Sequence, residues 1–401
     1  MRSLALVIGI VLCLGVVLDA FQTIILPRRP TGRFRLTSIF YLITWGPWSA
    51  VTRRIRNERV REQVFSIYGP LSLLLLLVMW AVLLISGFGF VYYALGTPFL
   101  DAMMSHYATM RFGILTDLYV SGTTLFTLGL GDVVPKMPLA RGVIILESGV
   151  GLGLVALVVG YLPVLYGAFS RREVSVALLD ARAGSPPTAA ELLSRHGFEG
   201  GQEALIVLLA EWERWAAELL ESHVSYPILC YYRSQHDNQS WLSALVTILD
   251  TCALMIASVQ GTPARQAQLT FAMARHALVD LGHVFHLERM VETKRGEGFN
   301  RLPPEQFRRL CGALGETEIQ LCGDEASSAR LHQLREMYEP HAQALGYYLG
   351  LSMPMWIAAP NAKDQWLRVE KLRADGGLLS GASHISEQST AAHLQDEGHG
   401  Y

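Results

Sequence analysis

Apolar positions form three long runs within the first 170 residues and then give way to helical periodicity. A bilayer core takes about 20 apolar residues of helix to cross. Residues 4–26 meet that length, interrupted only by Asp19 and Gln22 near the end. Residues 70–95, with consecutive leucines from Leu73 to Leu77, form the second run, and residues 143–168 the third. A removed signal peptide is the rival reading of the first run. That run is long, however, and no small-x-small cleavage site follows it. Residues 36–51 are apolar but shorter, with arginine at both ends. Tyr41, Trp45 and Trp48 suit the headgroup level, so this stretch is expected along the inner membrane surface, with a crossing as the alternative.

Arginine orients the spans. Arg28, Arg29, Arg33, Arg35, Arg53, Arg54, Arg56, Arg59 and Arg61 lie between the first two runs, and Arg171 and Arg172 follow the third. The positive-inside bias places both regions in the cytoplasm. A multi-pass protein of the plasma membrane (a bacterial inner membrane) follows, with its N-terminus outside and its C-terminus cytoplasmic. The chain has 401 residues, 51% hydrophobic and 17% charged, with a net charge of −2, which gives no electrostatic case for nucleic acid. Cys13, Cys230, Cys252, Cys311 and Cys322 show no zinc or disulfide spacing.

Between the second and third runs, the chain must leave and re-enter the same side. Residues 117–126 suit a helix too short to cross, and Thr127-Leu128-Gly129-Leu130-Gly131-Asp132 follows, then Pro135 and Pro138. A re-entrant loop fits: a half-helix dipping in and an extended strand climbing out. Non-helical backbone at that depth is tolerated only inside protein or along a watery path. A potassium ion sheds its water only if carbonyl oxygens replace it. Aiming consecutive carbonyls at one axis requires positive φ at alternate residues, which Gly129 and Gly131 adopt without a Cβ penalty. Thr127 can add its hydroxyl, Leu128 and Leu130 point away from the axis, and Asp132 sits at the outer end with Tyr119 as a candidate partner. The sequence occurs once, so a four-fold ring calls for a homotetramer.

The loop resembles the pore loop of potassium channels, and outer helix, pore helix, Thr-x-Gly-x-Gly-Asp and inner helix resemble their pore module. The resemblance covers about residues 68–172. It implies an all-α membrane protein with a tetrameric potassium-channel-like pore of bacterial type, an extra N-terminal transmembrane helix and an α-helical cytoplasmic domain. Two positions depart from the pattern: Leu130 replaces the usual aromatic between the glycines, and Phe126 stands where a small hydroxyl residue is common. The expected segments are an N-terminal transmembrane helix (1–27), an Arg-rich interfacial segment (28–66), the pore domain (67–172), a cytoplasmic helical domain (173–375) and a disordered tail (376–401). The resemblance also implies a filter of Thr127, Leu128, Gly129, Leu130 and Gly131, with Gly151 at a gating-hinge position.

In the third run, Gly149, Gly151 and Gly153 permit either a hinge or close helix packing, and Pro163 should kink the helix near the cytoplasmic mouth. Glu147 is an acid within a span, costly and by default functional. It fits behind the filter, bonded to pore-helix hydroxyls such as Thr123; facing the cavity and pairing with Arg141 are the alternatives. No run carries arginine at regular spacing, so a voltage sensor is not expected.

Beyond residue 174 the pattern is that of helices with Gly/Pro breaks. Residues 241–259 are nearly apolar, but Asp250 and polar flanks favour a buried bundle helix over a fourth span. His276, Asp280 and His283 share part of one helix and are weak metal candidates, as are His223, His236 and Asp237; polar groups satisfying a helical core are the plainer reading. No nucleophile, phosphate loop or paired acid suggests an enzyme, and no cofactor is implied beyond potassium as permeant ion. The expected function is a potassium channel in membrane lipid, modulated through its cytoplasmic domain by an unknown regulator. A poorly selective cation channel, or a membrane-anchored scaffold with a vestigial loop, are the alternatives.

Overall fold

The computed structural model describes residues 1–26, 35–101, 113–198, 200–235, 239–259, 264–296, 301–315 and 324–358. Arg28, Arg29, Arg33, His236, Asp237 and the expected tail lie outside the described residues. Four described helices are long and apolar enough to cross a membrane. They are α1 (Arg2–Ala20) with the π turn Phe21–Ile25, α3 (Glu58–Ala94), α5 (Pro138–Ala183) and α8 (Trp241–Ser258). The protein is an all-α membrane protein. Among the described residues, the exceptions are two three-residue strands, β1 (Phe99–Asp101) and β2 (Val133–Pro135).

Small residues bring α1 and α3 together. A Cβ on Gly9 would lie 2.6 Å from the Gly87 carbonyl oxygen, so the two backbones touch. Asp19 then does more than interrupt an apolar run. Its carboxylate accepts from the Thr37 amide at 3.1 Å, the Thr37 hydroxyl at 2.6 Å and the Trp80 indole at 3.0 Å. It thereby satisfies a first-turn amide of α2 (Leu36–Thr52) and joins α1, α2 and α3. Trp45 of α2 packs its ring 4.7 Å from Tyr68 and 4.8 Å from Tyr231, and its indole donates to the Tyr348 carbonyl at 3.2 Å. The short apolar stretch is thus a joint between the membrane helices and the C-terminal bundle.

The helix expected over 143–168 runs much further. At 46 residues, α5 is about 69 Å long, against a hydrocarbon core of about 30 Å. Between Ala168 and Ala183 there is no proline or glycine to stop it, and it ends only at Gly184, which takes φ +85°.

The C-terminal helices are α6 (Ala189–Arg195), α7 (Gly201–Ser225), α8, α9 (Ala264–Val284), α10 (Glu288–Gly296), α11 (Pro304–Gly315), α12 (Glu325–Glu336) and α13 (Glu339–Leu349). They share one hydrophobic core that includes Leu193, Leu209, Leu249 and Leu345. Every residue of α8 except Ile256 is buried, and α6, α9 and α12 pack against it. Despite its apolarity, α8 is a bundle helix. Its one acid, Asp250, is met by Arg301 at 2.7 and 3.0 Å and by the Tyr338 hydroxyl. Arg301 also reaches Glu339 at 3.0 Å, and Arg335 completes the group at 3.0 Å from Glu339. Arg301→Ala should leave buried Asp250 without its guanidinium, costing about 3–5 kcal/mol. A thermal melt of the purified chain should show a large fall in midpoint, and an unchanged midpoint would contradict this account of the network.

Where α5 meets the bundle, Arg172 is buried. Its guanidinium donates to the carbonyls of Leu229 and Tyr232, both at 2.9 Å, and lies 3.1 Å from His223 Nε2. Burial first, then the adjacent Arg172, hold His223 well below the ordinary imidazole value of 6.5, so its Nε2 accepts. Once unfolded, the imidazole takes up a proton below that value, whereas the folded one refuses it. Its contribution is full above 6.5 and lost as pH falls below it. The melting temperature should drop between about pH 7.5 and pH 5.5. His223→Gln should reduce that drop without abolishing it, because burial also lowers His196 and His341.

Candidate functional site

The loop between α3 and α5 is built on α4 (Ile114–Leu125), 12 residues and so about 18 Å, too short to cross. Its C-terminal end is closed by amides that turn back onto it: Phe126 to the Gly122 carbonyl, Thr127 to Thr124 and Leu128 to Thr123, at 3.2, 2.9 and 2.8 Å. The chain then alternates in hand. Thr127, Gly129 and Gly131 have φ of +55°, +57° and +73°, while Leu128 and Leu130 between them stay out of the left-handed region. Neighbouring carbonyls of a regular strand point in opposite directions, whereas alternation of hand turns them to the same side. Glycine takes positive φ without cost. For β-branched Thr127, which continues the same alternation one step back, it is a true outlier, of a kind worth about 1–3 kcal/mol. Leu128 and Leu130 expose their side chains.

At the end of this segment, the Tyr119 hydroxyl donates to Asp132 at 2.7 Å, and the other Asp132 oxygen accepts from the Val133 amide at 3.0 Å. Strand β2 follows at once and pairs antiparallel with β1, Phe99 opposite Pro135 and Asp101 opposite Val133. The exit of the loop is therefore tied to the segment that leaves α3.

Behind α4 sits a buried polar group. Glu147 of α5 is fully buried; one oxygen accepts from Tyr92 at 2.6 Å and the other from Ser121. The pore-helix hydroxyl that meets Glu147 is thus Ser121 and not Thr123, whose hydroxyl donates to the Val120 carbonyl at 3.0 Å. The helical period of buried positions Asp117, Val120, Ser121 and Leu125 could have singled out Ser121. Tyr92, one helix away, had no such signal. Asp117, also buried, accepts from the Thr97 hydroxyl at 3.0 Å.

At Gly151, α5 lies close against the end of α4: a Cβ there would lie 2.1 Å from the Leu125 carbonyl oxygen. Close packing therefore requires this glycine. Pro163 lies inside α5, which is a single helix across Gly149, Gly151 and Gly153. On α9, Asp280 lies 3.5 Å from His276 and 3.9 Å from His283, both half-exposed. Among the described residues no group of three His, Cys, Asp or Glu side chains could hold a metal ion. His223, another candidate, is taken up by Arg172.

A half-helix, a loop of alternating hand and a long helix packed behind it resemble the pore module of an ion channel. Residues 78–165, from within α3 to within α5, match the family model described as ion channel. The chain is also similar to the uncharacterized membrane protein YdjJ of Bacillus subtilis (strain 168). The two are 28% identical over 199 residues, 49% of this chain and 55% of the relative. The matched region thus spans about half the length of that relative. No solved structure matches the chain. An ion-channel domain within a helical membrane protein is what these similarities support.

Glu147→Ala would leave the buried Tyr92 and Ser121 hydroxyls without an acceptor, at about 1–3 kcal/mol each. The melting midpoint in detergent should fall clearly, and Glu147→Gln, which keeps one acceptor, should lose less. Equal losses for the two would remove the case for these bonds.

Proposed function

We propose that the chain is one subunit of a homotetrameric, potassium-selective channel that conducts passively through a ring of main-chain carbonyls. The observation that carries this reading is the alternation of positive φ at Thr127, Gly129 and Gly131. Carbonyl oxygens turned to one side can replace an ion's hydration, but one loop supplies only one wall. Four copies around an axis complete the ring. The face of α5 bearing Leu152, Val155 and Val159 is exposed in the single chain and suits the wall of the conduction path below the loop. Asp132, at the outer end, would hold the filter through Tyr119 and attract cations. Glu147, with Ser121 and Tyr92, would brace the pore helix from behind. Gly151 fixes the packing of α5, and Pro163 is the point about which its intracellular end would bend.

In this reading residues 67–172 form the pore domain. The arginine-rich ends of α2 and α5 face the cytoplasm, as does the helical bundle, which modulates the pore. The reading needs no cofactor and no catalytic group. A second reading rests on Leu130, which is exposed and apolar where an aromatic could brace the filter: the same pore, conducting cations with little preference.

Flux into liposomes holding the purified protein separates the readings. Potassium flux that Gly129→Ala abolishes, with the assembled size unchanged, is expected, because alanine at φ +57° is strained. Reversal potentials in mixed potassium and sodium should favour potassium; equal permeability selects the second reading. Absence of any cation flux would leave a membrane-anchored scaffold instead.

A further inference from the structure

Between residues 161–172 of α5 and residues 69–73 of α3 lies a piece of the C-terminal bundle. The 3-10 turn Pro227–Tyr231 leaves α7 and enters the space between the two membrane helices. Ile228, Leu229 and Tyr232 are buried there against Leu73 of α3 and Tyr161, Leu165 and Ala168 of α5. The fit on α3 is tight: a Cβ on Gly69 would lie 2.9 Å from the Tyr232 ring. On the α5 side, Arg172 caps the last carbonyls of the turn, and the Phe169 and Tyr232 rings sit 5.7 Å apart. Next in sequence, Arg233 donates to the Gly350 and Leu349 carbonyls at 3.1 and 2.6 Å, so the same turn is bolted to the end of α13.

We infer that this turn is a wedge by which the C-terminal bundle sets the position of the intracellular end of α5, and that Arg172 and Tyr232 are its positioning residues. The inference rests on the proposed pore. If the exposed face of α5 lines the axis, its opposite face carries Tyr161, Leu165, Ala168 and Arg172, all buried against the wedge and α3. Widening the mouth moves α5 toward that face, into space the turn occupies. Arg172 lies beyond Pro163, so bending at the proline swings it directly. The turn is held by α3, α5 and α13 together, so a shift of the bundle draws it in or out and changes the room left to α5. Nothing in the wedge touches the loop at 127–131, so its effect falls on opening and leaves selectivity alone.

Opposite substitutions test this in single-channel recordings of the full chain in planar bilayers. Tyr232→Ala thins the wedge and should raise open probability about 3- to 10-fold, the scale of mutations that alter coupling between sites. Gly69→Ala crowds the Tyr232 ring and should lower it by a similar factor. In both, unit conductance and the potassium-to-sodium reversal potential should stay at the wild-type values. Arg172→Gln removes the fork of donors and should act like Tyr232→Ala, with Arg172→Lys restoring part of the closure. Should Tyr232→Ala misfold, seen as loss of the assembled peak in size exclusion, Tyr232→Leu and Gly69→Ala carry the test. Wild-type gating in the folded variants, or shifts of the same sign from thinning and crowding, would overturn the wedge while leaving the pore intact. Wild-type protein that passes no cation would sink the pore reading and the wedge with it.

Discussion

A main-chain polar group inside a bilayer must find a partner within the protein, because lipid offers none. Long helices meet that demand by themselves, and α1, α3 and α5 do so along most of their length. Residues 126–132 do not form a helix, and everything around them serves to make that tolerable. The pore helix takes the first amides of the turn back onto its own last carbonyls. Asp132 takes the Val133 amide, and the β1–β2 pair takes over beyond it. What stays unpaired in a single chain is the row of oxygens from residues 127–131. In the proposed pore, a cation is the partner that chemistry offers such a row.

The same constraint accounts for the buried acids. Asp19, Asp117 and Glu147 all lie in or beside the membrane helices, and each accepts hydrogen bonds from side chains on another segment. Each carboxylate therefore acts as a cross-link: Asp19 among α1, α2 and α3, Asp117 between α4 and the end of α3, Glu147 among α3, α4 and α5. A second kind of polar joint appears at the other end of α5. There Arg172 caps a short turn of the C-terminal bundle, and Trp45 inserts into an aromatic cluster shared by α2, α3 and the bundle. Membrane helices and bundle are not two bodies on a loose linker. They share side chains around Arg172 and around Trp45, and the last turns of α5 pack into the core of the bundle.

Much was legible in the order of residues because it follows from local rules. The need for about 20 apolar residues per crossing marked the three long helices. Positive φ without a Cβ marked Gly129 and Gly131, and the isolated acid marked α8 as a bundle helix before any contact was known. Other features were not legible. The extent of α5 past Ala168 depended on nothing stopping it until Gly184, and a hydrophobicity pattern ends where the lipid does, not where the helix does. Tyr92 as partner of Glu147 belongs to no local pattern.

Composition and spacing by themselves therefore determined that this chain has helices long and apolar enough to cross a membrane, with a short helix and a glycine-bearing turn between the second and the third. They did so because transfer into lipid and backbone sterics act on a few residues at a time. Only the tertiary structure decided which hydroxyl meets Glu147, that Gly151 is closed against the Leu125 carbonyl, and that a turn from residue 227 onward sits between α3 and α5. Those contacts join residues far apart along the chain, and only the packing of helices fixes which of many possible partners comes within reach.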